Sequence, residues 1–153
     1  MRFGDGPEGN GTVADERLDT LTARRLVQGL LDDPFAVLGP HKVGRATIMR
    51  AFVPTASAVT VTTLAGAHLG SLTQTHPDGL FEGRIKAPRG RAPLRIEAEN
   101  ETTRWAFVDP YAFDPVLGSL DEYYVAEGTH LRLFDRLGAH VLTHQGIRGT
   151  EFA

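Results

Sequence analysis

A chain of 153 residues with 41% apolar and 23% charged side chains has the make-up of one globular domain, able to bury roughly two thirds of the surface that its unfolded form exposes. Its 16 basic and 19 acidic residues leave a net charge of −3, with no positive excess to release counterions from a nucleic-acid backbone, so nucleic acid is set aside as a partner. The lack of cysteine removes disulfides, thiolate nucleophiles and cysteine-based zinc sites. No stretch approaches the roughly 20 apolar residues that span a bilayer, and Met1-Arg2-Phe3-Gly4-Asp5-Gly6-Pro7 lacks the apolar run of a secretory signal, so a soluble, cytoplasmic protein without a membrane partner is expected.

Residues 1–13 are rich in glycine with little to bury, and read as a disordered tail. Gly4, Gly6, Gly9 and Gly11 follow no strand and precede no Lys-Ser/Thr pair, so neither a dinucleotide fingerprint nor a phosphate loop is supported. From Asp15 to Leu31, Leu18, Leu21, Leu26, Val27, Leu30 and Leu31 form a helical stripe. Thr12 and Asp15 have the spacing of an N-terminal cap, and Asp33-Pro34 is expected to end the helix, because the residue before a proline is pushed out of helical conformation. Short β-prone runs come next, over 46–53, 58–64, 69–73, 80–86, 93–99 and 102–108. Val59, Val61 and Thr63 alternate with Thr60 and Thr62 as a half-buried strand should, and Pro77-Asp78-Gly79, Pro88-Arg89-Gly90 and Asn100-Glu101 mark turns. This spacing predicts a mainly β domain over 14–116, an immunoglobulin-like antiparallel β-sandwich with a leading helix.

Asp109-Pro110-Tyr111-Ala112-Phe113-Asp114-Pro115 is too rich in proline to continue a sheet interior. Ser119 stands three residues before Glu122, the spacing of a capping box, and Gly128 supplies a stop, which predicts a short helix over 119–127. Residues 129–153 carry no hydrophobic period strong enough for a core of their own, so 117–148 read as a linker.

Three segments carry a resemblance. Asp33-Pro34-Phe35-Ala36-Val37-Leu38-Gly39-Pro40-His41, Glu127-Gly128-Thr129-His130-Leu131-Arg132 and Leu137-Gly138-Ala139-His140 resemble, in the same order and at similar spacing, the amino-terminal region of bacterial 1,4-alpha-glucan (glycogen) branching enzymes. The resemblance runs from about Arg25 to the end, and Gly149-Thr150-Glu151-Phe152-Ala153 resembles the first strand of that family's second, carbohydrate-binding sandwich. It implies a noncatalytic accessory domain, a truncated piece of an enzyme that transfers α-1,4-glucan segments into α-1,6 branches without metal or organic cofactor. The missing later domains would be its partners, together with α-glucan. The alternative is a freestanding glucan-binding or protein-interaction module, which predicts that 129–153 folds back and buries Leu131, Phe134 and Leu142.

Candidate chemistry is sparse. Asp32-Asp33, Asp109 with Asp114, and Asp121-Glu122 are near neighbours, the raw material of a glycoside-cleaving pair, but their contexts are turns and caps. The resemblance implies that the family's catalytic carboxylates lie in a later barrel, so no catalytic residue is assigned. Among the histidines, 41, 68, 76, 130, 140 and 144, only His140 and His144 have an i, i+4 spacing, and no glutamate follows His140 as a zincin requires, so no metal site is expected. The resemblance makes His41, His130 and His140 polar anchors. Exposed aromatic rings are what a sugar would stack on; of Trp105, Phe107, Tyr111, Phe113, Tyr123, Tyr124 and Phe134, Trp105 and Tyr111 are the candidate glucan contacts, though Trp105 and Phe107 alternate as a core pair also would. Arg84, Lys86, Arg89, Arg91 and Arg95 form a basic cluster that a solvated strand edge explains.

Overall fold

The computed structural model describes residues 17–86, 93–113, 116–144 and 146–153. The expected tail and its Thr12/Asp15 cap lie outside these residues, as do Arg89, Arg91 and Asp114. Helix α1, Thr20–Val27, starts where Asp19 turns its carboxylate onto the amides of Leu21 and Thr22, at 3.1 and 3.0 Å. Hydrogen bonds from Thr22 hold that carboxyl below its usual range. The helix is shorter at its end than expected. It stops not at Asp33-Pro34 but at Gly29, whose φ of +68 provides the left-handed residue that closes a helix. Asp33 instead caps a separate 3-10 turn, Pro34–Ala36, accepting from the amides of Phe35 and Ala36.

Seven strands come after it: β1 Gly39–Val43, β2 Ala46–Phe52, β3 Ala58–Thr63, β4 His68–His76, β5 Leu80–Ile85, β6 Leu94–Glu99 and β7 Arg104–Val108. They pair antiparallel in the order β1-β2-β5-β4-β3-β6-β7. Six occupy the runs expected from sequence, and β1 is the addition. β4 serves both halves of the curled sheet, and register shifts between Gln74 and His76 and between Val61 and Thr62 mark irregularities where it pairs. The inward faces pack together: Met49 and Ala51 of β2, Leu72 of β4, Phe81 and Ile85 of β5, Val59 and Val61 of β3, and Leu94, Ile96 and Ala98 of β6 form one core. The result is the expected sandwich-like β domain.

The outer face of β2 and β5 is covered as well. Phe52 and Leu80 meet Ala23 and Leu26 of α1 and Val37 and Leu38, a second apolar cluster. Burial on both faces explains why β2 is buried along almost its whole length. Edge strands β1 and β7 lie at opposite ends of the pairing order, yet the 3-10 turn Pro110–Ala112 that comes after β7 packs on β1. The approach is close at Gly39, whose φ is +87: a Cβ there would stand 2.6 Å from the Tyr111 carbonyl oxygen. Gly39→Ala is therefore expected to destabilise the domain by about 2 kcal/mol or more, the left-handed penalty plus the cost of prising the turn off β1. Thermal unfolding monitored by circular dichroism reads it, and an unchanged midpoint would refute the close approach.

Beyond Val116 come helix α2, Ser119–Ala126, a 3-10 turn Leu133–Asp135, and a hairpin of β8, Ala139–His144, with β9, Ile147–Phe152. The cap of α2 sits one residue earlier than expected. Gly118 is the extended N-cap residue, and its amide donates to Asp121 Oδ2 at 3.0 Å, so Asp121 fills the role expected of Glu122 and Ser119 is already helical. Gly128, at φ +69, ends the helix as expected. Within the expected linker, β8 is a strand, paired from Ala139↔Phe152 to His144↔Ile147. No helix of the described residues is long and apolar enough to cross a membrane.

Candidate functional site

Strand alternation sends Val59, Val61, Ile96 and Ala98 into the core, and so puts Ala58, Thr60, Glu97 and Glu99 on the opposite face. Glu97 and Glu99 stand across from Ala106 and Arg104 of β7. Together with Arg95 these residues line an open hollow of about 490 Å³. Small side chains at Ala58, Thr60 and Ala106 leave it empty, while Arg104 pairs with Glu99 at 2.6 Å, Arg95 with Glu97 at 3.9 Å, and the Thr62 hydroxyl donates to Glu97 at 3.2 Å. Two guanidiniums against two carboxylates make it polar but electrically balanced, which suits a neutral, hydroxyl-bearing molecule better than a phosphate. Trp105 contributes to the lining but is half-buried, and with Phe107 it packs against the core.

Tyr111, the other candidate ring, is also half-buried. It meets Phe35 edge-on at 5.1 Å between ring centres and packs on the cluster beneath α1. The two candidate contacts thus stand on different elements, one on β7 and one in the turn that closes on β1. Of the described members of the basic cluster, Arg84 is on β5 and Arg95 on β6, strands that are not neighbours in the sheet.

The histidines are spread out. Nε2 of His41 lies 2.9 Å from the Leu38 carbonyl, Nε2 of His140 lies 3.1 Å from that of Leu137, and Nδ1 of His76 accepts from the Asp78 amide. His140 and His144 lie on strand β8, so their spacing carries no helical meaning. No group of three or more potential metal ligands occurs among the described residues.

Two buried acidic residues are not distinguished by the sequence in the roles they hold. Glu82 faces outward on β5 yet is 5% exposed; it accepts from Arg50 Nε at 2.9 Å, the Leu18 amide at 2.9 Å and the Thr75 hydroxyl at 2.7 Å. Asp109 is 1% exposed; its Oδ1 accepts from the Tyr111 amide at 3.2 Å and its Oδ2 has no partner among the described residues. Burial pushes its pKa up to about 6, opposed by the Tyr111 amide.

The C-terminal part differs in kind. Among the residues from 116 to 143 and from 146 onward none is buried, and Leu120, Tyr123, Leu131, Phe134, Val141 and Phe152 are all more than half exposed. Leu142 is half-buried. The segment is nonetheless cross-tied. His130 Nε2 lies 2.9 Å from Asp121 Oδ1, and the Tyr124 ring meets His130 edge-on at 6.1 Å. Arg136 stands 3.9 Å from the same Asp121 oxygen. The His130 bond, then the Gly118 amide, hold the Asp121 carboxyl below its usual range.

Residues 19–111 match the family model described as alpha-1,4-glucan branching enzyme GlgB, N-terminal domain. The 1,4-alpha-glucan branching enzyme of Mesorhizobium japonicum is 47% identical over 148 residues, 97% of this chain and 19% of the relative. That of Agrobacterium fabrum is 50% identical over 125 residues, 82% of this chain and 17% of the relative. The Paramagnetospirillum magneticum enzyme is 43% identical over 154 residues, 100% of this chain and 20% of the relative. The chain thus spans about a fifth of the length of the curated relatives it matches.

Proposed function

The chain belongs to the amino-terminal domain family of the alpha-1,4-glucan branching enzymes, and on that premise we propose that it acts as a noncatalytic accessory domain of such an enzyme. The observation that carries this reading is the match to the first-domain model over the sandwich, in a chain that spans only a fifth of its relatives. The whole enzyme would make α-1,6 branches from α-1,4-glucan in the cytoplasm, and the chain itself would not catalyse. In this reading 117–148 connect the sandwich to the later domains, and 149–153 open a second, carbohydrate-binding sandwich. Glucan contact is the direct role proposed for the first domain, with Trp105 at the rim of the balanced hollow as the first residue and Tyr111 as the second. The exposure of Leu131 and Phe134 speaks against the freestanding alternative, which needs them buried.

Electrophoresis of the purified chain through a glycogen-containing gel tests the role. Expected are retardation relative to an inert protein of similar size and charge, its reduction in Trp105→Ala, and no branching activity in a parallel assay. Branching by the chain alone would refute the accessory reading, and unchanged mobility would remove glucan contact from it.

A further inference from the structure

We infer that the cross-tied segment formed by α2 and the turn after it is a preformed docking surface, and that its occupant is the part of the branching enzyme beyond residue 153. The inference rests on the accessory-domain reading proposed for the chain. Free apolar rings and chains cost solvation free energy, and a monomer rarely leaves a run of them without cover. Here Leu120 is 65% exposed, Tyr123 58%, Leu131 88% and Phe134 71%, with no buried residue in the segment beneath them. Their types fit a protein partner: tyrosine, phenylalanine and arginine are the residues enriched at interfaces, and Arg132 and Arg136 stand beside Leu131 and Phe134, the two most exposed of these four.

The segment is also ordered before anything covers it. Asp121 gathers the Gly118 amide, His130 and the Arg136 guanidinium, the Thr129 amide donates to the Tyr124 carbonyl at 2.9 Å, and Arg132 bonds Asp135 at 2.7 Å. A plain connector has no need of these ties. A docking element does, because holding its shape in advance lowers the entropy lost on contact. Length identifies the occupant: about four fifths of the matched relatives lies outside the chain, and the Mesorhizobium, Agrobacterium and Paramagnetospirillum enzymes each match it over a fifth of their length or less.

The test places this chain in front of the remainder of the Mesorhizobium japonicum enzyme, replacing the matching portion, and compares amide hydrogen exchange with that of the chain alone. Residues 119–137 are expected to exchange about tenfold more slowly or better in the fusion. The paired substitution Leu131→Asp with Phe134→Asp should abolish the difference, whereas Leu64→Asp, exposed on the sandwich, should not. Equal exchange of 119–137 in an active fusion would overturn the docking surface alone. A folded fusion without branching activity would count against the accessory reading too. Footprinting of the intact Mesorhizobium japonicum enzyme over its matching segment serves where the fusion fails to fold, with solvent access there overturning the inference. Concentration-dependent self-association of the isolated chain, lost in the Leu131/Phe134 pair, would overturn it by making a second copy the occupant.

Discussion

Glu82→Ala is expected to lower the unfolding free energy by about 3–5 kcal/mol, a large loss for a single polar side chain. Glu82 and Arg50 have side chains 4% and 10% exposed, so removing the carboxylate takes a close anionic partner from a guanidinium that water scarcely reaches. The same substitution unties the Leu18 amide and the Thr75 hydroxyl, loosening the lead into α1 from the sheet. The loss should therefore come with faster amide exchange at the start of α1. Replacing both charges with apolar residues, Arg50→Met with Glu82→Leu, should recover part of it, because the buried charge is removed while the Leu18 amide and the Thr75 hydroxyl stay untied. Urea unfolding of the three proteins decides the matter. A loss under about 1 kcal/mol in Glu82→Ala would put the pair among ordinary surface bridges.

Asp109 gives the second large effect, and its sign is opposite to that of most carboxylates. Its folded pKa, about 6, lies above the ordinary aspartate value of 3.8, so the folded chain holds a proton that the unfolded chain has released between those values. Stability contributed by this group is complete below about pH 3.8 and is lost as pH rises to about 6. At neutral pH the buried carboxylate costs on the order of 3 kcal/mol. Asp109→Asn keeps an oxygen for the Tyr111 amide and removes the charge. It is expected to stabilise the domain by about 1–3 kcal/mol at pH 7.5 and to gain little at pH 4. Urea unfolding of both proteins across that range checks it, and a gain that does not change with pH would refute the assignment.

Strands β3 and β6 are legible in the sequence because their two faces differ: Val59 and Val61 alternate with threonines, and Leu94, Ile96 and Ala98 with charges. β1 is not, because Gly39-Pro40-His41-Lys42-Val43 shows no apolar alternation and becomes a strand by pairing with β2. The end of α1 escapes sequence reasoning for a local reason. Gly29 can take a left-handed φ before the proline has any influence, and a glycine within an apolar stripe does not announce that. The two acidic anchors are hidden for a tertiary reason. Glu82 sits at an outward position of β5, and only α1 and its lead, arriving from 64 residues away, turn that position into an interior one. Asp109, before a proline, reads as a surface turn until the turn closes on β1. The aromatic candidates illustrate the same limit, since alternation places Trp105 and Phe107 on one face without saying how far the core extends beneath them.

The closing contact between Gly39 and Tyr111 has a kinetic consequence during synthesis. Every pairing of the seven-stranded sheet, and the turn that joins its two ends, is complete within residues 39–112. The domain can therefore finish its slow, long-range steps while the polypeptide beyond it is still emerging from the ribosome, since domains fold as units with the N-terminal one first. Its two edge strands, the templates on which a nascent β protein most readily aggregates, would be joined by that turn before later strands appear to compete for them.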